Sequence, residues 1–304
     1  MQQSPKNKII QEAWELIKDD INLKKMYFIP GLLSILFLTI LLVYQSIYTY
    51  VVIFHQKEKA LEIILAFFHS HYAIQIIILF IIFLIIYIFL SPIFEWWLIR
   101  YIFKKSEWKA ITPWEALSLG VYKFFPLFKY SNLFSEFKFI SVFNGYLFII
   151  RMFDGQYINI ITYVFIVLFI LSSMINIVVI YAKYIIVIEN KNVYKSLAKS
   201  MKLTVVSFAT TLKLYFIMFI LNTRVIINFI IFLAFPIAII TLITIITSKI
   251  FLTITIILLS IIFIIFIFFL WYLSWTLEVF KNAIWFFAYK NATIKLHKIE
   301  EETK

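Results

Sequence analysis

Four stretches of this chain, residues 26–54, 72–94, 155–182 and 250–277, contain no Asp, Glu, Lys or Arg. Each is long enough to cross the roughly 30 Å of bilayer hydrocarbon, which takes about 20 residues of helix. A backbone in hydrocarbon has no water to bond, so runs of this kind must satisfy their own amides, and a helix does so within one segment. Composition points the same way. The chain is 63% hydrophobic and 14% charged over 304 residues, with mean hydropathy +0.97, whereas soluble domains carry about 25% charged residues. Too few polar side chains remain to cover a water-soluble surface, which excludes a soluble enzyme. Cysteine is absent, so disulfides, thiolate metal sites and a Cys nucleophile are excluded as well.

The expected fold is all-α, a polytopic transmembrane bundle forming one integral membrane domain over residues 1–304. Its spans are expected at 28–52, 72–94, 131–150, 157–182, 207–233 and 250–277. The weakest is 131–150, which carries Glu136 and Lys138. The region 203–248, interrupted by Lys213, Arg224 and Pro236, accommodates one span or two. Basic residues choose between them, because short cytoplasmic loops accumulate Lys and Arg. Six spans place 23 basic residues on one side and five on the other, while seven spans give 19 and nine. Six is therefore preferred, with both termini cytoplasmic in a cytoplasmic membrane. The net charge of +12 is then mostly a topological signal that suits anionic lipid, and nucleic acid is not an expected partner. The first 25 residues mix acids with lysines and the apolar run after them is too long for a signal-peptide core, so that run is expected to stay as a membrane anchor.

Three cytoplasmic segments ahead of alternate spans show helical periodicity and are expected to be amphipathic helices at the membrane surface, at 7–22, 112–125 and 192–203. The first carries Ile9, Ile10, Ala13, Trp14, Ile17 and Ile21. The second opens on Thr112, Pro113 and Glu115, with Thr as N-cap, Pro at the first helical position and Glu closing a capping box. The third sets Val193, Leu197, Ala198 and Met201 beside a basic stripe of Lys191, Lys195, Lys199 and Lys202. Ala13-Trp14, Ala116-Leu117 and Ser196-Leu197 occupy similar places in the three, which suggests three diverged units, each a surface helix followed by a transmembrane hairpin.

The segment from Tyr184 through Glu189, Asn190 and Ser196-Leu197 to Ser200 resembles the signature of six-helix bacterial membrane proteins, the glycerophosphoryl diester phosphodiesterase membrane domain and its uncharacterised relatives. In that family a span exits into an apolar-Glu-Gly turn followed by a helix of the form Ala-Leu-x-x-Ser. Here Glu189 and Ser200 match, Asn190 replaces the common Gly, and Ser196-Leu197 stands for Ala-Leu. The resemblance implies the architecture and a bacterial source. It implies no enzyme activity, since the family's chemistry belongs to a separate barrel of about 250 residues, and the longest stretch outside the expected spans, 95–130, is far shorter.

No catalytic motif, metal-ligand spacing or cofactor loop is present. His55, His69 and His71 are near one another in sequence, but an i, i+2 pair in a loop is not a recognised zinc spacing. Polar groups within apolar segments are costly, which singles out Asn176, Lys213, Asn222, Arg224 and Asn228 as a candidate intramembrane polar site. Lys213 and Arg224 have a simpler role as snorkelling residues, and the asparagines as interhelical hydrogen bonds. With four glycines in the chain, close glycine-mediated helix crossings are expected to be scarce. Lys191, Lys195, Lys199 and Lys202 are the candidate headgroup contacts. The expected function is non-catalytic: organising lipid, or a membrane-protein partner or second copy, in envelope processes. The alternative is a small-molecule or lipid transporter with a polar site between helices. No cofactor is expected.

Overall fold

The computed structural model describes residues 5–18, 20–33, 36–37, 40, 57–109, 112–153, 157–223 and 249–302, and among them all regular structure is helical. In chain order these are α1 (Pro5–Lys18), α2 (Ile21–Met26), α3 (Lys57–His69), α4 (Ala73–Ser106), α5 (Pro113–Lys123), α6 (Phe125–Phe134), α7 (Phe139–Met152), α8 (Ile158–Val179), α9 (Ala182–Glu189), α10 (Val193–Val206), α11 (Phe208–Thr223) and α12 (Lys249–Glu302). Three helices are long and apolar enough to cross a membrane, Ala73–Ser106, Ile158–Glu189 and Ile264–Glu302; α10 and α11, bent by 99° at their junction, make a fourth if taken as one span. The fold is thus a helical bundle with three or four candidate spans. Much of the expected spans 28–52 and 207–233 lies outside the described residues. The expected span 131–150 is not one helix, because a turn at residues 135–138 separates α6 from α7. Glu136 and Lys138 sit in that turn, where their charges stay out of the apolar helices.

Each of the three long helices changes character along its length. From Ile74 to Phe89, α4 is almost entirely exposed, and from Pro92 onward it is largely buried. Exposure gives way to burial in the same direction at Val179 in the α8–α9 segment and at Val279 in α12. An exposed stretch that is mostly apolar and free of charge suits lipid, while the buried ends form a core in which Leu98, Ile99, Ile102, Tyr184, Ile185, Val279 and Ala283 are fully enclosed. Full burial of a large aliphatic or aromatic side chain contributes roughly 1.5–3 kcal/mol. The C-terminal ends of three long helices therefore meet in one cap, built by packing outside the exposed apolar zone.

Three short helices surround this cap. Helix α1 lies on α12, α5 on α4, and α10 on α9 and α12. Ala13, Ala116 and Ser196, the residues aligned by sequence, are each 0% exposed at these contacts. Small residues let helices approach closely, and two of the glycines serve the same end. A Cβ on Gly120 would meet the Ile93 carbonyl of α4 at 3.0 Å, and one on Gly31 would meet Trp275 Cβ at 2.9 Å. The chain has few glycines, but these two sit at close contacts with a neighbouring helix.

Helix boundaries follow local chemistry. Asp20 caps α2 by accepting from Leu23 N at 2.9 Å, and Thr112 caps α5 by accepting from Glu115 N at 3.3 Å with Pro113 at the start of the helix. Asn190 ends α9 in the left-handed region, φ 57° and ψ 36°, a conformation that Asn tolerates better than most residues. Between α8 and α9 the chain turns at residues 180–181, which leaves the last carbonyls of α8 without helical donors. Ser200 donates to the Val178 carbonyl at 2.7 Å, Thr204 to the Ile177 and Val178 carbonyls at 3.3 Å, and Tyr130 to the Val179 carbonyl at 3.1 Å. This need sets the rotation of α10. Its inward face is Val193, Ser196, Ser200, Leu203 and Thr204, while Ala198 and Met201, expected on the apolar face, are exposed.

Candidate functional site

Where the three long helices pass from exposed to buried, one polar residue from each meets the others. Lys183, in the first turn of α9, donates from Nζ to Glu95 Oε1 of α4 at 2.7 Å and to Asn282 Oδ1 of α12 at 2.9 Å. Asn282 is held in turn by donating from Nδ2 to the Glu278 carbonyl at 3.0 Å. Tyr184 donates to the Asn282 backbone carbonyl at 3.1 Å. The Lys183 and Glu95 side chains are 18% and 23% exposed. A cation at a helix N-terminus opposes the helix dipole, and a carboxylate removed from water needs a counter-charge, so each group supplies what the other lacks. From Ala73 to Glu95 is about 33 Å at 1.5 Å per residue, just past the hydrocarbon thickness of about 30 Å. The clasp sits where a span beginning near Ala73 ends.

A second cluster lies one to two turns further along. Glu189 accepts from Lys191 and Lys199, each at 2.7 Å, and from the Tyr289 hydroxyl at 2.6 Å. This ties the α9–α10 turn to α12. On the other flank Lys281 pairs with Glu278 and donates to Asn222 Oδ1 at 2.8 Å. At the N-terminal end, Lys105 of α4 pairs with Asp20, which also accepts from the Tyr101 hydroxyl at 3.4 Å. Burial works against ionisation of Asp20, yet the Lys105 ammonium and the amides of Leu23 and Asn22 outweigh it and hold the carboxyl below its ordinary range.

The residues singled out from sequence are dispersed. Asn176 donates to the carbonyls of Phe137 and Ser172, so it fastens α8 to the turn between α6 and α7. Asn222 meets Lys281, and Lys213 is exposed on α11. Arg224 and Asn228 lie outside the described residues. Of the basic stripe, Lys191 and Lys199 turn to Glu189, whereas Lys195 and Lys202 are exposed. His69 bonds the Leu65 carbonyl at 2.7 Å, His71 packs edge-on against Tyr72, and His55 lies outside the described residues. A cavity of about 50 Å³ is lined by Tyr27, Pro30, Leu33, Tyr87 and Ser91, a lining without Asn176, Lys213 or Asn222.

Sequence reasoning counted Lys183 only as a topological charge and passed over Glu95 and Asn282. A signal existed: Glu95, Lys183 and Glu278 are the first charges after the runs 72–94, 155–182 and 250–277. Compared with known proteins, the chain matches no family model, no curated protein and no solved structure.

Proposed function

We propose that this chain is a non-catalytic protein of the cytoplasmic membrane that gathers anionic lipid at the inner leaflet. One observation carries the reading. The acids Asp20, Glu95, Glu189 and Glu278 are all engaged in pairs that join helices or helix turns within the cap. Among the described residues, Lys195 and Lys202 have no acidic partner, and they share the exposed face of α10 with Tyr194, Met201 and Val205. Lysines flanking exposed apolar side chains suit a leaflet surface, where each cation near anionic headgroups gains about 1 kcal/mol. The 99° bend between α10 and α11 supports an in-plane α10 leading into a crossing helix.

The same reading takes the chain as three diverged units with six crossings and both termini cytoplasmic, as the resemblance to the six-helix bacterial membrane domains implies. Three long helices whose C-terminal ends share one cap require the chain to recross between them, which supports an even number of spans. A membrane-protein partner or a second copy of the chain fits the exposed apolar faces of the same helices.

The test is lipid enrichment in nanodiscs of mixed phosphatidylglycerol and phosphatidylcholine. Charge reversal of Lys195 and Lys202 is expected to reduce the phosphatidylglycerol retained by the protein at least three-fold. Unchanged retention would reduce these lysines to insertion signals and overturn the proposal. The transporter reading draws on the cavity lined by Tyr27, Pro30, Leu33, Tyr87 and Ser91, where three side chains bring hydroxyl groups. Counterflow of solute in proteoliposomes would favour it.

A further inference from the structure

The turn between α6 and α7 lies deep. Ser172 and Asn176 of α8 both donate to the Phe137 carbonyl, and they precede Lys183 of the clasp by 11 and 7 residues, about 16 and 10 Å along a helix. A second mark agrees. Phe128 of α6 stacks on Phe89 of α4 with ring centroids 5.3 Å apart, and Phe89 stops six residues short of Glu95, about 9 Å. From the turn, α7 runs back along α8 and deeper still, its Tyr146 hydroxyl 3.0 Å from that of Thr162. Since the clasp stands at the edge of the hydrocarbon, the turn interrupts a crossing. Side chains tie its backbone where a helical ladder would: besides the two bonds to Phe137, Ser141 Oγ donates to the Ser135 carbonyl at 2.9 Å.

Non-helical backbone at membrane depth persists only where protein buries it or water reaches it, and protein does not bury this one. Glu136 and Lys138 are exposed on either side of the half-buried Phe137. Among the described residues neither makes an ion pair, and Glu136 has only the Ser135 hydroxyl, at 3.5 Å. Snorkelling relieves a long lysine. A glutamate stem of two methylenes cannot lift its carboxylate to the surface from this depth, and a carboxylate facing lipid is costly.

We propose that α6 and α7 form one discontinuous crossing whose break lines a water-filled crevice, open on the side of the cap and able to admit small hydrophilic solutes of either charge. Discontinuous crossings are where membrane transporters place their polar sites, and ionisable residues within a membrane mark such paths. Opposite charges flanking one residue let Glu136 draw cations and Lys138 draw anions into the same opening. This goes beyond lipid gathering by α10 and uses none of its lysines, so a dry break would leave phosphatidylglycerol retention as it is.

The chain has no cysteine, so single cysteines report without background. Full-length Glu136→Cys and Lys138→Cys are reconstituted in proteoliposomes and treated with two membrane-impermeant methanethiosulfonates, the cationic ethyltrimethylammonium and the anionic ethylsulfonate. The reagents are added on the side that labels Lys195→Cys, an exposed position on α10, and modification is read by mass. A thiol ionises and reacts in water but not in an apolar surrounding, so both should react within about ten-fold of the rate at Lys195→Cys, and Leu171→Cys at least about a hundred-fold more slowly. Leu171 is the control because it is exposed, apolar and next to Ser172. The remaining charge sets a preference: the ratio of cationic to anionic rates should be at least about five-fold higher in Lys138→Cys, which keeps Glu136, than in Glu136→Cys, which keeps Lys138. Rates at 136 and 138 as slow as at Leu171→Cys would overturn the crevice, whether lipid, another part of the chain or a second copy covers the break. Leu171→Cys reacting as fast as the other two would overturn the depth argument. An equal charge ratio in the two variants would overturn the shared opening. Helical circular dichroism confirms the fold of each variant, and the ratio at Lys195→Cys serves as the reference if one of the pair does not fold.

Discussion

Replacing Lys183 with Met removes one partner of the clasp and leaves Glu95 enclosed without its cation. At 2.7 Å the gross attraction between the two charges is about 6 kcal/mol for an effective dielectric constant of about 20. Withdrawing both ions from water costs several kcal/mol each, so the pair is nearly neutral overall against an apolar pair of similar size. The asymmetry appears only when one partner goes. The expected loss for Lys183→Met is about 3 kcal/mol, the lower end of the range for breaking a buried pair, because the two side chains keep 18% and 23% exposure. That corresponds to roughly a hundred-fold shift in the unfolding equilibrium. The double variant Glu95→Leu with Lys183→Met should recover most of the loss and sit within about 1 kcal/mol of wild type. Reversible unfolding in mixed micelles, followed by near-ultraviolet circular dichroism of the tyrosine-rich and tryptophan-rich cap, reads both. A single variant that costs less than about 1 kcal/mol, or a double variant that costs more than the single, would refute the account of the clasp as a mutually dependent pair.

Two further outcomes follow from other contacts. Asn190 holds the left-handed end of α9; Asn190→Gly should be neutral or slightly stabilising, whereas Asn190→Val should cost about 1–2 kcal/mol, measured by the same unfolding. Asp20 has a depressed pKa in the folded chain, so its contribution is present above the ordinary carboxylate pKa of about 3.9 and is lost as pH falls through the lower folded value. Hydrogen exchange in α2 should therefore accelerate in strongly acidic buffer, and Asp20→Asn should remove that dependence while leaving exchange in α8 unchanged.

The parts of this fold that were legible in the sequence are those set by composition and by near neighbours. Runs without charge mark helices long enough to cross a bilayer, and Thr112-Pro113 with Glu115 marks the start of α5. Rotation about a helix axis was less legible. The sequence sets Val193, Leu197, Ala198 and Met201 on one face of α10, but the carbonyls freed at the α8–α9 turn draw Ser200 and Thr204 inward. A hydroxyl facing a bare carbonyl outweighs the apolar pattern, and no local period announces it. The clasp was hidden for a related reason. Glu95, Lys183 and Asn282 are 88 and 99 positions apart, and pairing over that distance leaves no mark within any one window.

The cap also dictates an order of events during synthesis. Helix α1 leaves the ribosome long before α12, yet the surface that receives its inward face, Ile9, Ala13 and Ile17, belongs to α12. Asn282, which completes the clasp, is likewise translated after both of its partners. Until then Lys183 and Glu95 have only each other, and the amino-terminal segment has no seat. Assembly of the cap must await synthesis of α12, so products cut short before residue 279 would expose an unclosed apolar socket to the cell's proteolytic surveillance.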